Sequence, residues 1–318
     1  MCKKIVLFSI AVMLVFTGCK KKDTATKTTS TPPSAPRLIF KFTFDSTQVR
    51  LNNIGQPVGV PAGHQAQSPR FNLMSGHYIE MAATDTTGVG RGVVLFVAPT
   101  VTTGITTGTF TSAIDHDKCT AVANGQEFYS VPLSNVTPGT YKWLRVSLAY
   151  QNYDITYKYT YSGTPYYFTG TIASFVGFNT WINSYKIKTQ NITVNANKLQ
   201  GYWGFETTTT IMGVSTTTTV TGQAPSGATT VVNPLFATSP IPAGSCLATG
   251  QFVNAGGSNQ LLTITGNETK DIIINVSLST NKSFEWVEHS GDTYYEPAAG
   301  DTVVDMGIRG LIPYILPQ

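Results

Sequence analysis

The sequence is poor in charge. Asp, Glu, Lys and Arg make up 12% of its 318 residues, about half the quarter that is usual in globular domains. The formal charge of +4 does not mark a basic surface either: residues 1–18 carry +2 and residues 19–36 carry +3, which leaves −1 from Arg37 onward. A region without excess positive charge cannot neutralise a phosphate backbone, so nucleic acid is excluded as a partner. Cysteine is scarce, at Cys2, Cys19, Cys119 and Cys246, and there are only four histidines. The phosphate-binding loop, the dinucleotide fingerprint, H-E-x-x-H and G-x-S-x-G are all missing. That argues against the motif-bearing enzyme classes and leaves a hydrolase with a dispersed site as the lowest-ranked reading. No stretch of ten residues after position 37 carries a helical apolar stripe. No apolar run reaches the ~20 residues that span a bilayer.

What the chain does have begins at its N-terminus. Lys3 and Lys4 precede the apolar run Ile5–Phe16, which Thr17, Gly18 and Cys19 follow. Charge, a short apolar run and small residues form a secretory signal. The segment resembles a bacterial lipobox, with Phe16 where Leu is usual. That resemblance implies cleavage before Cys19 and acyl chains on its sulfur and new amino group. Residues 19–36 are rich in Lys, Thr and Pro, without apolar periodicity, and read as a disordered tether. The "CKKKD" start resembles Bacteroidota cell-envelope lipoproteins. It implies attachment to the outer membrane, on the periplasmic face or at the cell surface.

From residue 37 to 318 the signals are those of strands, with a candidate subdivision near 199. "LIFKFTF" (38–44) alternates Leu38, Phe40, Phe42 and Phe44 on one face, and "GVVLFVA" (92–98) is a continuous apolar run of the kind found in central strands. "GTYKWLRVSLAY", "DITYKYTY", "PYYFTGTIASF", "GYWGFETTTTI" and "DIIINVSL" continue the theme, separated by Gly, Pro and Asn turns. The pattern predicts an all-β fold, an antiparallel β-sandwich of one large or two smaller sheet pairs. "IASFVGFNTWINSY" fits either a helical turn or a strand. "TTTTIMGVSTTTTVTG" (207–222) reads as a protruding hairpin of weakly specified register, with a Gly- and Pro-rich surface loop or meander after it.

Three sets of residues are candidates for chemistry. Tyr157, Tyr159 and Tyr161 share one face of a strand, with Trp203 in another. Exposed, such a row would be a platform for sugar rings; buried, it would be core. His64, His77, His116, Asp115 and Asp117 are candidate metal ligands: "IDHDKC" (114–119) packs donors suited to zinc or copper, and His64, Met74, His77 and Met81 make a looser set suited to copper. Glu288, Asp292, Glu296 and Asp301 offer oxygen ligands for calcium. Cys119 and Cys246 could form a disulfide in an exported protein. Asp-Ser/Thr-small triplets at Thr24, Ser46, Thr86 and Thr302 resemble the O-glycosylation site of exported Bacteroidota proteins. "LIFKFTF", "VTPGTYKWLRVSLAY" and "KDIIINVSLSTNKSFEWV" together resemble segments of the MbnP-type lipoproteins, a copper-associated family, and no ligand residue carries over from it. The leading expectation is a lipid-anchored envelope protein that recognises a glycan or another envelope component. A copper-associated metal-binding lipoprotein is the alternative.

Overall fold

The computed structural model describes residues 35–102, 104–105, 111–225, 228, 231–240 and 247–317. Among them there is no α-helix; the only helical turns are the short 3-10 segments His116–Lys118, Leu133–Asn135 and Pro297–Ala299. The fold is all-β, as the alternating sequence predicts.

The longest strand, Trp143–Tyr161, is central to an eight-stranded sheet. Arg70–Ala82 flanks it on one side, and Thr164–Phe175 and Leu247–Gln251 share the other. A five-stranded sheet faces it, with Arg37–Asp45 between Ile272–Ser279 and Glu127–Pro132. Leu38, Phe40 and Phe42 from this sheet are fully buried against Leu144 and Val146 of the long strand. Period-2 alternation makes such a face, because successive side chains point to opposite sides of the pleat.

The long strand changes phase along its length. Leu144, Val146 and Leu148 face the main core, and so do Tyr153 and Ile155, at odd positions, with Tyr157 buried further along the strand. Register shifts between Ser147 and Tyr153 absorb the difference, as β-bulges do. Tyr150, turned the other way, joins Phe175, Ile182, Tyr185 and Tyr202 in a second core. That core lies beneath the sheet that contains Asn179–Lys186 and Asn191–Leu199. The eight-stranded sheet is therefore covered on both faces over part of its length.

Several pairings depart from simple antiparallel order. Arg37–Asp45 pairs in parallel with Ile272–Ser279, joining the two ends of the described chain. Val93–Val97, expected to be central, is a half-exposed edge strand, with Val97 at 59% exposure. The ambiguous segment 172–185 is strand, divided between Thr164–Phe175 and Asn179–Lys186. The Thr-rich hairpin pairs Tyr202–Ile211 with Val214–Gln223 in one unbroken register. Met212 (φ 51°) and Gly213 (φ 80°) make its two-residue turn, the left-handed pair that suits strand twist. The segment after it does not simply run over the surface, since Val232 and Asn233 are fully buried. Ala35–Gln318 forms one compact unit, and Leu199 ends a strand within it.

Candidate functional site

Beyond Asp154 the long strand outruns its neighbour Arg70–Ala82. Its bare edge is closed by other means. The Gln67 side chain donates from Nε2 to Thr156 O and accepts from Thr156 N, each at 2.8 Å, standing in for a strand. Lys158 N then donates to Tyr295 O at 2.8 Å. The Lys158 ammonium donates to Asp292 at 2.6 Å and lies 2.8 Å from Glu296, fixing the loop that holds Tyr295. Both acids hold this lysine's pKa well above its ordinary range.

That closure leaves a cavity of about 250 Å³ between the sheet and the segment 284–306. Tyr157, Trp203 and Phe205 line it from the sheet; Phe284, Tyr295 and Met306 line it from the opposite wall. The remaining wall is also apolar. Tyr157 Oη and Thr207 Oγ1 share a hydrogen bond of 3.1 Å. Burial raises the Tyr157 phenol and pushes Tyr295 up to about 12, so both stay protonated at neutral pH. Such a lining can hold an apolar or aromatic group by burial and ring contact. Burying about 150 Å² of ligand, one aromatic side chain's worth, stabilises by about 4 kcal/mol before association costs.

Two glycines make room for the ring wall. Trp203 faces Gly222 across the hairpin, where an added Cβ would meet the indole at 2.5 Å. The Phe205 ring lies over Gly170 in the same way. Gly222→Ala should therefore displace Trp203 and destabilise the protein by about 1–3 kcal/mol, the usual cost of overpacking. A shift in tryptophan emission together with a lower denaturant midpoint would show it; an unchanged emission spectrum would contradict it.

The tyrosine row does not share one environment. Tyr157 is buried, Tyr159 is half-buried and Tyr161 is 44% exposed. The row is neither wholly platform nor wholly core: it leaves the cavity wall for solvent as the hairpin projects. Trp203 joins Tyr157 at the cavity. The sequence reading missed Phe205, whose spacing of two from Trp203 was a usable signal. It also missed Tyr295 and Met306, for which there was none.

The candidate metal ligands are not brought together. Among the described residues no three His, Cys, Asp or Glu side chains converge on a metal position. His64 Nδ1 lies 2.6 Å from Glu285 Oε1. Strand pairing passes from Ser147–Tyr78 to Leu148–Gly76, so His77 is a bulge residue and leaves the face of Ile79 and Met81. Its ring packs 5.4 Å from Phe178, and burial pushes its pKa down to about 4. His116 packs on Phe175 and Tyr150, with its pKa also lowered by burial. Asp115 pairs with Lys118 at 2.7 Å, and Asp117 accepts from Asn183. Met74 and Met81 are fully buried in the main core.

The calcium candidates are engaged likewise. Asp292 and Glu296 hold Lys158. Glu288 accepts from Ser290, Gly291 and Trp286, and Asp301 from the backbone of His289 and Glu296. Cys119 is a free thiol, raised to about 11 by burial; its expected partner Cys246 lies outside the described residues, as do Cys19 and Thr24. Ser46, Thr86 and Thr302 are exposed.

Behind the cavity wall lies a buried charge network. Glu285 Oε2 accepts from Arg50 and, at 2.9 Å, from Arg309, which also pairs with Asp305 at 2.9 Å. Burial outweighs the nearby arginines and raises Asp305 to about 7. A carboxyl raised in the folded state favours folding at low pH and loses that contribution as pH climbs from about 4 to about 7. Asp305→Asn removes it, so the variant should gain stability relative to wild type across that window. Thermal midpoints of both proteins measured against pH check the sign; a difference that shrinks with rising pH would refute it.

No family model, curated protein or solved structure matches this chain.

Proposed function

We propose that the protein is a lipid-anchored cell-envelope protein that binds the apolar part of an envelope component in the cavity between Tyr157, Trp203 and Tyr295. The cavity carries this reading: it is concave, ring-lined and apolar, with one wall built from strands and the other completed by the loop that holds Tyr295. Ligand sites have that character. A glycan would reach it through an attached apolar group, because the tyrosine row offers no continuous exposed platform. Among the described residues no helix is long and apolar enough to cross a membrane; in this reading Cys19 carries the attachment.

Thermal shift of the purified full chain with 4-ethylphenol, phenyl glucoside and glucose tests the binding. The two ring-bearing probes should raise the midpoint by mass action, and glucose should not. Val303→Phe, which fills the cavity, should remove the effect. Stabilisation by glucose alone, or an effect of 4-ethylphenol that survives Val303→Phe, would overturn the reading.

A further inference from the structure

The Thr-rich hairpin has a free side that the cavity does not use. Its strand Val214–Gln223 is the terminal strand of the eight-stranded sheet, and nearly every residue in it is exposed. The hairpin pairs with Thr164–Phe175 only as far as Thr207, so its outer part projects from the body. Natural sheets blunt such edges with lysine, proline, bulges or cover. Among the described residues this edge has none of them. From Thr207 through Asn267 the sequence contains no Asp, Glu, Lys or Arg, and the strand contains no proline. Its ladder runs without a register shift.

The turn fixes which groups face outward. In a hairpin with a two-residue loop, the flanking residues, here Ile211 and Val214, exchange both backbone bonds, and such pairs alternate along the ladder. The backbone groups of Val214, Thr216, Thr218 and Val220 thus turn inward. Those of Ser215, Thr217, Thr219 and Thr221 turn outward. The side chains agree with this phase: Thr208 with Thr217, and Thr210 with Ser215, share hydroxyl hydrogen bonds of 2.8 Å, as expected where opposed side chains lie closest.

We propose that Val214–Gln223 pairs antiparallel with the same strand of a second copy, around a two-fold axis through Thr218. The register sets Thr217 opposite Thr219 and Ser215 opposite Thr221, using every outward group from Ser215 to Thr221. Two observations select a second copy. The edge has no charge, so identical strands do not repel. At the axis Thr218 meets Thr218 as a close, non-hydrogen-bonded pair, the kind of position at which the hairpin's own hydroxyls pair. The contact is isologous and closes on itself, which permits a dimer and no fibre.

The full chain in detergent carrying Thr218→Cys tests this. At the axis the two cysteines face each other, so mild oxidation should give a disulfide-linked dimer on a non-reducing gel that wild type lacks. Thr217→Pro with Thr219→Pro, added to this variant, removes the outward N–H groups, which edge strands tolerate, together with one exposed hydroxyl pair of the hairpin, Thr208 with Thr217. It should abolish the linked dimer and leave the thermal midpoint near that of the parent. Thr217→Lys with Thr219→Lys keeps the N–H groups and sets like charges opposite each other, and should also abolish it. No linked dimer from Thr218→Cys would overturn the proposal. So would a dimer that survives the lysine pair, or one that forms equally from Ser46→Cys at an exposed site elsewhere.

Discussion

Glu285→Ala is expected to lower the stability of the protein by about 3–5 kcal/mol, the usual consequence of removing one partner from a buried ion pair. Arg50 and Arg309 are each about 6% exposed, and Glu285 is 4% exposed. Its Oε2 alone receives both guanidiniums, while His64 lies against Oε1. Without the carboxylate, Asp305 is the acid left to Arg309, and burial already opposes its ionisation. The guanidiniums cannot escape by losing their protons. Salt should not rescue the variant, because buried charges are screened little.

The position also reaches the cavity. Glu285 lies between Phe284 and Trp286 on the strand Phe284–Val287, and Phe284 is part of the cavity wall. Its loss should weaken binding of 4-ethylphenol as well. Denaturant midpoints with and without the probe separate the two effects. A loss under about 1 kcal/mol, the range of surface pairs, would show that the network is solvated. Glu285→Gln keeps the side chain's shape and should fall between wild type and alanine.

Cys19→Ala should abolish lipid attachment altogether. In the lipoprotein reading the acyl chains on Cys19 hold the protein at the membrane, at about 0.8 kcal/mol per buried CH₂. Lys20, Lys21 and Lys22 beside it contribute about 1 kcal/mol each at an anionic surface, far less than several acyl chains. Detergent phase partitioning and N-terminal mass analysis of protein made in a lipoprotein-processing host test this. Wild type should enter the detergent phase with a modified Cys19. Cys19→Ala should remain an unmodified, longer precursor, and the triple Lys→Ala variant should partition as wild type does. A Cys19→Ala protein still cleaved after Gly18 and still acylated would end the lipoprotein reading.

The strands and much of their facing are legible in the local residue pattern. Leu38, Phe40 and Phe42 alternate because a pleated strand must, and Tyr157 and Trp203 were visible as aromatic residues of strands. These are local facts, set by periodicity within a few residues. What each face meets depends instead on contacts between segments far apart in the chain. The parallel pairing of Arg37–Asp45 with Ile272–Ser279 joins segments more than two hundred residues apart, and no local pattern encodes it. The apolar run at 93–97 became an edge because strand order, not hydrophobicity, ranks strands within a sheet. The bulge at His77 broke the face it was expected to share with Met81, since one extra residue reverses a period of two. The cavity likewise needed the loop 288–301 to close over an edge left bare by unequal strand lengths. Its far wall comes from residues more than a hundred positions from Tyr157, so only their meeting in space makes Tyr157 and Trp203 part of a site.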